Sequence, residues 1–91
     1  MKMRTIEMDI RHIQTVRALH IYLRHMLRLA PHYGCNLDAL HDMLCEESEP
    51  TRIVLHTGEG LSAEMAAYLP QLVRVLEDAV QENERLRFEM R

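Results

Sequence analysis

Between positions 15 and 29 the apolar residues Val16, Leu19, Leu23, Met26 and Leu27 recur at intervals of mostly three and four, which places them on one stripe of an α-helix. Arg17, Arg24 and Arg28 fall together on another face of the same helix. The segment Ala30-Pro31-His32-Tyr33-Gly34 breaks the pattern, because proline disfavours helical geometry at the residue before it and Gly34 is free to take a positive φ. A second, shorter helix follows. Asn36 is its expected N-cap, Asp38 sits in the first turn beside the positive end of the helix dipole, Leu37, Leu40 and Leu44 face inward, and the helix ends near Cys45.

Positions 3–8 alternate, with Ile6 and Met8 apolar on one side, and predict a short strand. Positions 52–56, Arg-Ile-Val-Leu-His, form an apolar run rich in β-branched residues between a Ser-Glu-Pro-Thr loop and Thr57-Gly58-Glu59-Gly60, and predict a buried strand. Helical composition returns at Ser62, an N-cap candidate with Glu64 in the first turn. Pro70 is expected to separate or kink a short helix over 62–68 from a longer one carrying Leu72, Val75, Leu76, Ala79 and Val80. Leu86, Phe88 and Met90 alternate with Arg87 and Glu89, which fits a terminal strand. Strands joined through helices pair in parallel rather than as hairpins. The expected fold is therefore an α/β domain of two layers, a three-stranded parallel sheet with helices packed mainly on one face.

A chain of 91 residues, 47% apolar, has barely enough length for one core, so residues 1–91 are read as a single domain. No run of apolar residues is long enough for a membrane span, and Met1-Lys2-Met3-Arg4 leads into Thr-Ile-Glu-Met-Asp instead of an apolar secretion core. The expectation is a cytoplasmic protein with no membrane partner. The two cysteines, Cys35 and Cys45, match neither a disulfide framework nor a zinc motif and are expected as reduced thiols.

The net charge of −3 conceals an asymmetry: residues 1–34 carry six Lys or Arg against two acids, and residues 35–91 five against twelve. Between positions 35 and 51 lie five carboxylates, Asp38, Asp42, Glu46, Glu47 and Glu49, and no Lys or Arg. This local excess favours a cationic partner and disfavours a phosphate backbone at that surface; a merely solvated acidic face is the alternative. Asp38, Asp42 and Glu46, spaced by four, form a ladder of like charges that costs an isolated helix about 0.2–0.5 kcal/mol per pair, and so points to a role beyond solubility.

Acid–base catalysis is disfavoured, because it needs carboxylates facing each other across a substrate cleft rather than on adjacent turns of one helix. The chain is therefore read as a non-enzyme with no cofactor. Among the six histidines, His20 and His25 diverge around their helix, whereas His41 and Cys45 share the i, i+4 spacing of a chelating pair. With Asp38 and Asp42 nearby they define an alternative, a mixed metal site; the default for the histidines is a surface or boundary position. Neither cysteine lies in cationic surroundings that would activate a thiolate. Gly58-Glu59-Gly60 lacks the Lys-Ser/Thr of a phosphate loop. The arginine stripe has few aromatic companions, so direct nucleic-acid binding is not expected.

The segment His32-Tyr33-Gly34-Cys35-Asn36-Leu37-Asp38-Ala39-Leu40-His41-Asp42-Met43-Leu44 resembles the signature of the barstar family, the intracellular inhibitors of barnase-type ribonucleases. Its specific part is the Tyr-Gly-x-Asn-Leu-Asp-Ala-Leu-x-Asp core. The order of elements extends the likeness over nearly the whole chain, although residue similarity outside the motif is weak. The resemblance implies a monomeric inhibitor, an antitoxin, whose second helix and preceding loop plug the basic active site of a small ribonuclease or nuclease toxin with carboxylates that mimic RNA phosphates. It makes Asp42 the dominant anionic anchor, Asp38 a second partner-facing acid and Asp78 a further one, with His32, Tyr33, Gly34, His41, Cys45 and Glu46 around them. A structural role for Tyr33 and Gly34 in shaping the helix entry is the alternative. Where the family prototype carries aromatics this chain has His32, His41 and the stretch Cys45-Glu46-Glu47, which directs attention beyond barnase itself as the target. A partner other than a ribonuclease on the same fold is the competing reading.

Overall fold

In the computed structural model, which describes residues 2–91, the chain runs β1 (Arg4–Asp9), α1 (Val16–Met26), α2 (Leu37–Cys45), β2 (Thr51–His56), α3 (Ala63–Glu82) and β3 (Leu86–Met90). The three strands form one parallel sheet in the order β1-β2-β3. Its register aligns Ile6 with Ile53 and Phe88, and Met8 with Leu55 and Met90. Because side chains alternate along a strand, these rows share one face. That face meets Leu19 and Leu23 of α1, Leu40 and Leu44 of α2, and Met65, Leu72 and Leu76 of α3 in one apolar cluster.

The opposite face carries Glu7, Arg52, His56 and Glu89, joined across strands by Glu7–His56 at 3.0 Å and Arg52–Glu89 at 2.7 Å. Val54, only 1% exposed, lies outside the main cluster, as its position among these outward residues requires. The expected parallel sheet with helices over one face is thus the observed one.

Helix α1 starts at Thr15, whose hydroxyl accepts from the Ala18 N–H at 3.1 Å. It ends sooner than the apolar stripe predicts because Arg28 adopts φ +52. The Leu29 N–H then returns to the Arg24 carbonyl at 3.0 Å and the Arg28 N–H to the His25 carbonyl at 3.4 Å, so that the last carbonyls are satisfied by a left-handed cap. An L side chain in that region costs about 1–2 kcal/mol, a penalty that glycine escapes. Arg28→Gly is therefore expected to stabilise the fold by about 1 kcal/mol, seen as a higher urea midpoint with unchanged slope. A lower midpoint would mean that the arginine side chain contributes more than the strain costs.

Of the separation or kink expected at Pro70, the separation is not found: α3 is continuous through it, and the helices among the described residues number three rather than four. Proline inside a helix removes one backbone hydrogen bond and costs about 3 kcal/mol. Met65 before it and Leu72, Leu76 and Ala79 after it are all buried. Parting the helix at Pro70 would unseat one of these halves from the sheet, and burial of both outweighs the local cost.

Candidate partner-binding face

Helix α2 is held at both ends by side chains. At its start the Asn36 Oδ1 accepts from the Ala39 N–H at 2.8 Å, and the Asn36 Nδ2 donates back to the Gly34 carbonyl at 3.2 Å. Gly34 does not use the positive φ open to it, and Cys35 adopts one instead, at +53. Gly34 serves close approach: a Cβ there would sit 3.2 Å from Asn36 Nδ2 and 3.5 Å from the Ala39 Cβ. At the far end the buried Asn83, which caps α3, donates through Nδ2 to the carbonyls of Leu44 at 2.9 Å and Glu47 at 3.0 Å, and accepts from the Arg85 N–H at 3.0 Å. One amide therefore locks the end of α2 to the end of α3.

Beneath the loop that enters α2, His20 is 1% exposed and lies between two phenols, Nδ1 2.6 Å from the Tyr33 hydroxyl and Nε2 2.7 Å from that of Tyr68. The expected surface or boundary position does not hold for this histidine, because it completes the apolar stripe of α1 as a fourth-spaced neighbour of Val16. A neutral imidazole suits both phenols, one ring nitrogen donating and the other accepting. Burial lowers the His20 pKa and raises those of Tyr33 and Tyr68.

The sign of the linkage follows. An unfolded histidine gains its proton near about pH 6.5, before the folded one does. The stability this site confers is present above that pH and lost as pH falls toward the depressed folded value. His20→Gln is expected to flatten the pH dependence of stability between about pH 7 and 5; unfolding curves with the same slope in both proteins would contradict this.

The acidic segment divides into two sets. Glu47 and Glu49 are bound by Arg4, at 2.6 and 3.7 Å. Asp38, Asp42 and Glu46 are exposed and make no ion pair among the described residues. Leu40 and Leu44 anchor the helix from its opposite side, so the unpaired ladder is turned to solvent.

The predicted site residues occupy different surroundings. His32, Gly34, Asp42 and Glu46 line one shallow groove together with Ala39 and Met43. Asp38 lines a second groove, between α2 and α3, with Leu37, Pro70, Gln71, Arg74, Val75 and Glu77. Asp78 is exposed on α3, one turn before Glu82 and one turn after Arg74. His41 and Cys45 turn toward α3 and meet Glu82: its Oε2 lies 3.3 Å from His41 Nε2 and accepts from the Cys45 thiol at 3.2 Å. Tyr33 lies beneath the surface, 5% exposed, and reaches the face only as a support for the loop.

Both cysteines are free thiols. Burial, together with the carboxylates of Glu82, Asp42 and Glu46, pushes the Cys45 thiol up to about 11, so it is protonated at neutral pH and unsuited to nucleophilic attack. The alternative metal site changes composition. Glu82, rather than Asp38 or Asp42, joins His41 and Cys45 in the group of potential ligands found among the described residues.

Neither motif nor spacing marks Glu82, Asn83 or His20 as part of this face. Only His20 had a detectable signal, its place in the α1 stripe. Among the described residues no helix is long and apolar enough to cross a membrane. A family model described as Barstar (barnase inhibitor) matches residues 3–91. No curated protein matches the chain.

Proposed function

The chain belongs to the barstar family of barnase inhibitors, and from that premise we propose that it inhibits a small basic ribonuclease or nuclease toxin by laying the acidic face of α2 into the enzyme's active site. Inhibition of barnase-type ribonucleases is the activity of the family in general, and its members are inhibitors, not enzymes. The observation that carries the finer reading is the unpaired ladder of Asp38, Asp42 and Glu46. These carboxylates stand free on a helix whose other acidic neighbours are already neutralised by Arg4.

A ribonuclease cleft gathers cationic side chains where RNA phosphates bind, and a row of fixed carboxylates satisfies the same donors. Asp42 and Glu46, flanked by His32 and Gly34, form the centre of the proposed contact, with Asp38 on one side and Asp78 as a further acid on α3. His41 and Cys45 border it. The histidines and small side chains in place of aromatics make this contact more polar than an aromatic-anchored one, and fit a target other than barnase. The free protein acts as a monomeric single domain. We place it in the cytoplasm, where Cys35 and Cys45 stay reduced and where a cell holding an active nuclease needs an antitoxin.

Titrating the protein into a barnase-type ribonuclease assay tests the proposal. Activity is expected to fall to its limit at one inhibitor per enzyme, with association slowing steeply as salt rises because attraction between unlike charges drives the encounter. Full activity at equimolar inhibitor across a panel of such ribonucleases and nuclease toxins would refute it.

A further inference from the structure

The last turns of α2 and α3 bring together three donor atoms of different kinds. His41 Nε2 lies 3.3 Å from Glu82 Oε2, Cys45 Sγ lies 3.2 Å from the same oxygen, and Nε2 and Sγ are 3.6 Å apart. Four-coordinate zinc holds nitrogen and oxygen ligands at about 2.0–2.2 Å and sulfur at about 2.3 Å, which at tetrahedral angles separates neighbouring ligand atoms by roughly 3.3–3.6 Å. The three observed separations lie within a few tenths of an ångström of that triangle. We propose that His41, Cys45 and Glu82 bind one zinc-class divalent cation, with the fourth coordination position open to water or to a donor from outside the chain.

Two features of the fold support the assignment. His41 and Cys45 are one helical turn apart on α2, which places imidazole and thiol side by side. Glu82 is delivered by α3, and its neighbour Asn83 is bonded to the carbonyls of Leu44 and Glu47, so Glu82 is held against Cys45 by an anchor one residue from each. Soft sulfur with imidazole and one carboxylate suits zinc better than calcium or magnesium, which take oxygen ligands. A thiolate, a carboxylate and a neutral imidazole also balance the charge of a divalent ion. The site does not depend on the inhibitory reading, since its ligands are the α2 residues turned toward α3 and exclude the unpaired ladder. Bound metal would pin α2 to α3 and raise thermal stability with the logarithm of the free metal concentration above its dissociation constant.

Cobalt(II) titration of the reduced full chain provides the test. Intense visible bands of a tetrahedral ion, with a thiolate charge-transfer band in the near ultraviolet, are expected to saturate at one ion per chain and to vanish when zinc is added. Cys45→Ser is expected to abolish the charge-transfer band, and Cys35→Ser to retain it. Glu82→Gln, at a side chain 60% exposed, is expected to weaken binding by more than about tenfold, the lower end of the loss typical of removing even an outer-shell partner. Absence of the bands, their survival in Cys45→Ser, saturation at one ion per two chains, or unchanged affinity in Glu82→Gln would each overturn the proposal.

Discussion

Asp42→Ala is expected to weaken inhibition of a susceptible ribonuclease by roughly a hundred- to several-thousandfold, while Arg24→Ala leaves it unchanged. Asp42 is exposed, makes no ion pair among the described residues, and shares its groove with Glu46, His32 and Gly34. Its removal therefore costs the free protein little. In the proposed complex the same carboxylate is enclosed against cationic side chains of the enzyme. Truncating one member of an enclosed ion pair leaves the other charge without a partner and costs about 3–5 kcal/mol, which corresponds to the stated loss of affinity. Arg24 lies on α1, lining a different surface with Ile21, His25, Arg28 and Leu29. Inhibition constants for the two variants, measured beside the wild type, decide the matter: equal losses would remove Asp42 from the centre of the contact.

The second large effect falls on stability. Asn83→Ala is expected to destabilise the fold by about 2–4 kcal/mol. The side chain is buried, and its truncation removes a hydrogen bond at once from the carbonyls of Leu44 and Glu47 and from the N–H of Arg85, of which the Leu44 carbonyl keeps the Glu47 N–H at 3.2 Å. Each buried polar group left unsatisfied costs about 1–3 kcal/mol, partly recovered where water enters. Asn83→Asp keeps an acceptor for Arg85 but turns a carboxylate toward two carbonyls, and is expected to be no better tolerated. Denaturant unfolding at constant slope reads both variants. A loss below about 0.5 kcal/mol, the level of an ordinary surface substitution, would show that the clamp is dispensable.

The parts of the molecule legible in the sequence are those set by short-range rules. The strand and helix order, the Asn36 cap, the first-turn position of Asp38 and the inward Leu40 and Leu44 all follow from spacing and cap chemistry within a few residues. The Tyr-Gly-x-Asn-Leu-Asp-Ala-Leu-x-Asp core identified the family for the same reason, being a local motif. What spacing missed is tertiary. Pro70 reads as a break, and only the shared burial of Met65 with Leu72 and Leu76 keeps its helix whole.

Five acids look alike along the chain, and only the approach of Arg4, 43 residues from Glu47, separates the two neutralised ones from the three left free. Glu82 joins His41 and Cys45 because two helices pack, a relation that no local pattern encodes. His20 was open to detection by spacing, yet its hydrogen-bonded place between Tyr33 and Tyr68 depends on three segments meeting.

The central claim is that the α2 carboxylates occupy the phosphate positions of a ribonuclease active site. Calorimetric titration of the inhibitor into its ribonuclease, with and without a saturating nucleotide bound in the catalytic cleft, tests this most directly. Competition is predicted: apparent affinity falls in proportion to nucleotide concentration, and no ternary complex forms. Undiminished binding to the nucleotide-filled enzyme would contradict the account, because the acidic face would then be docking somewhere other than the site of the phosphates.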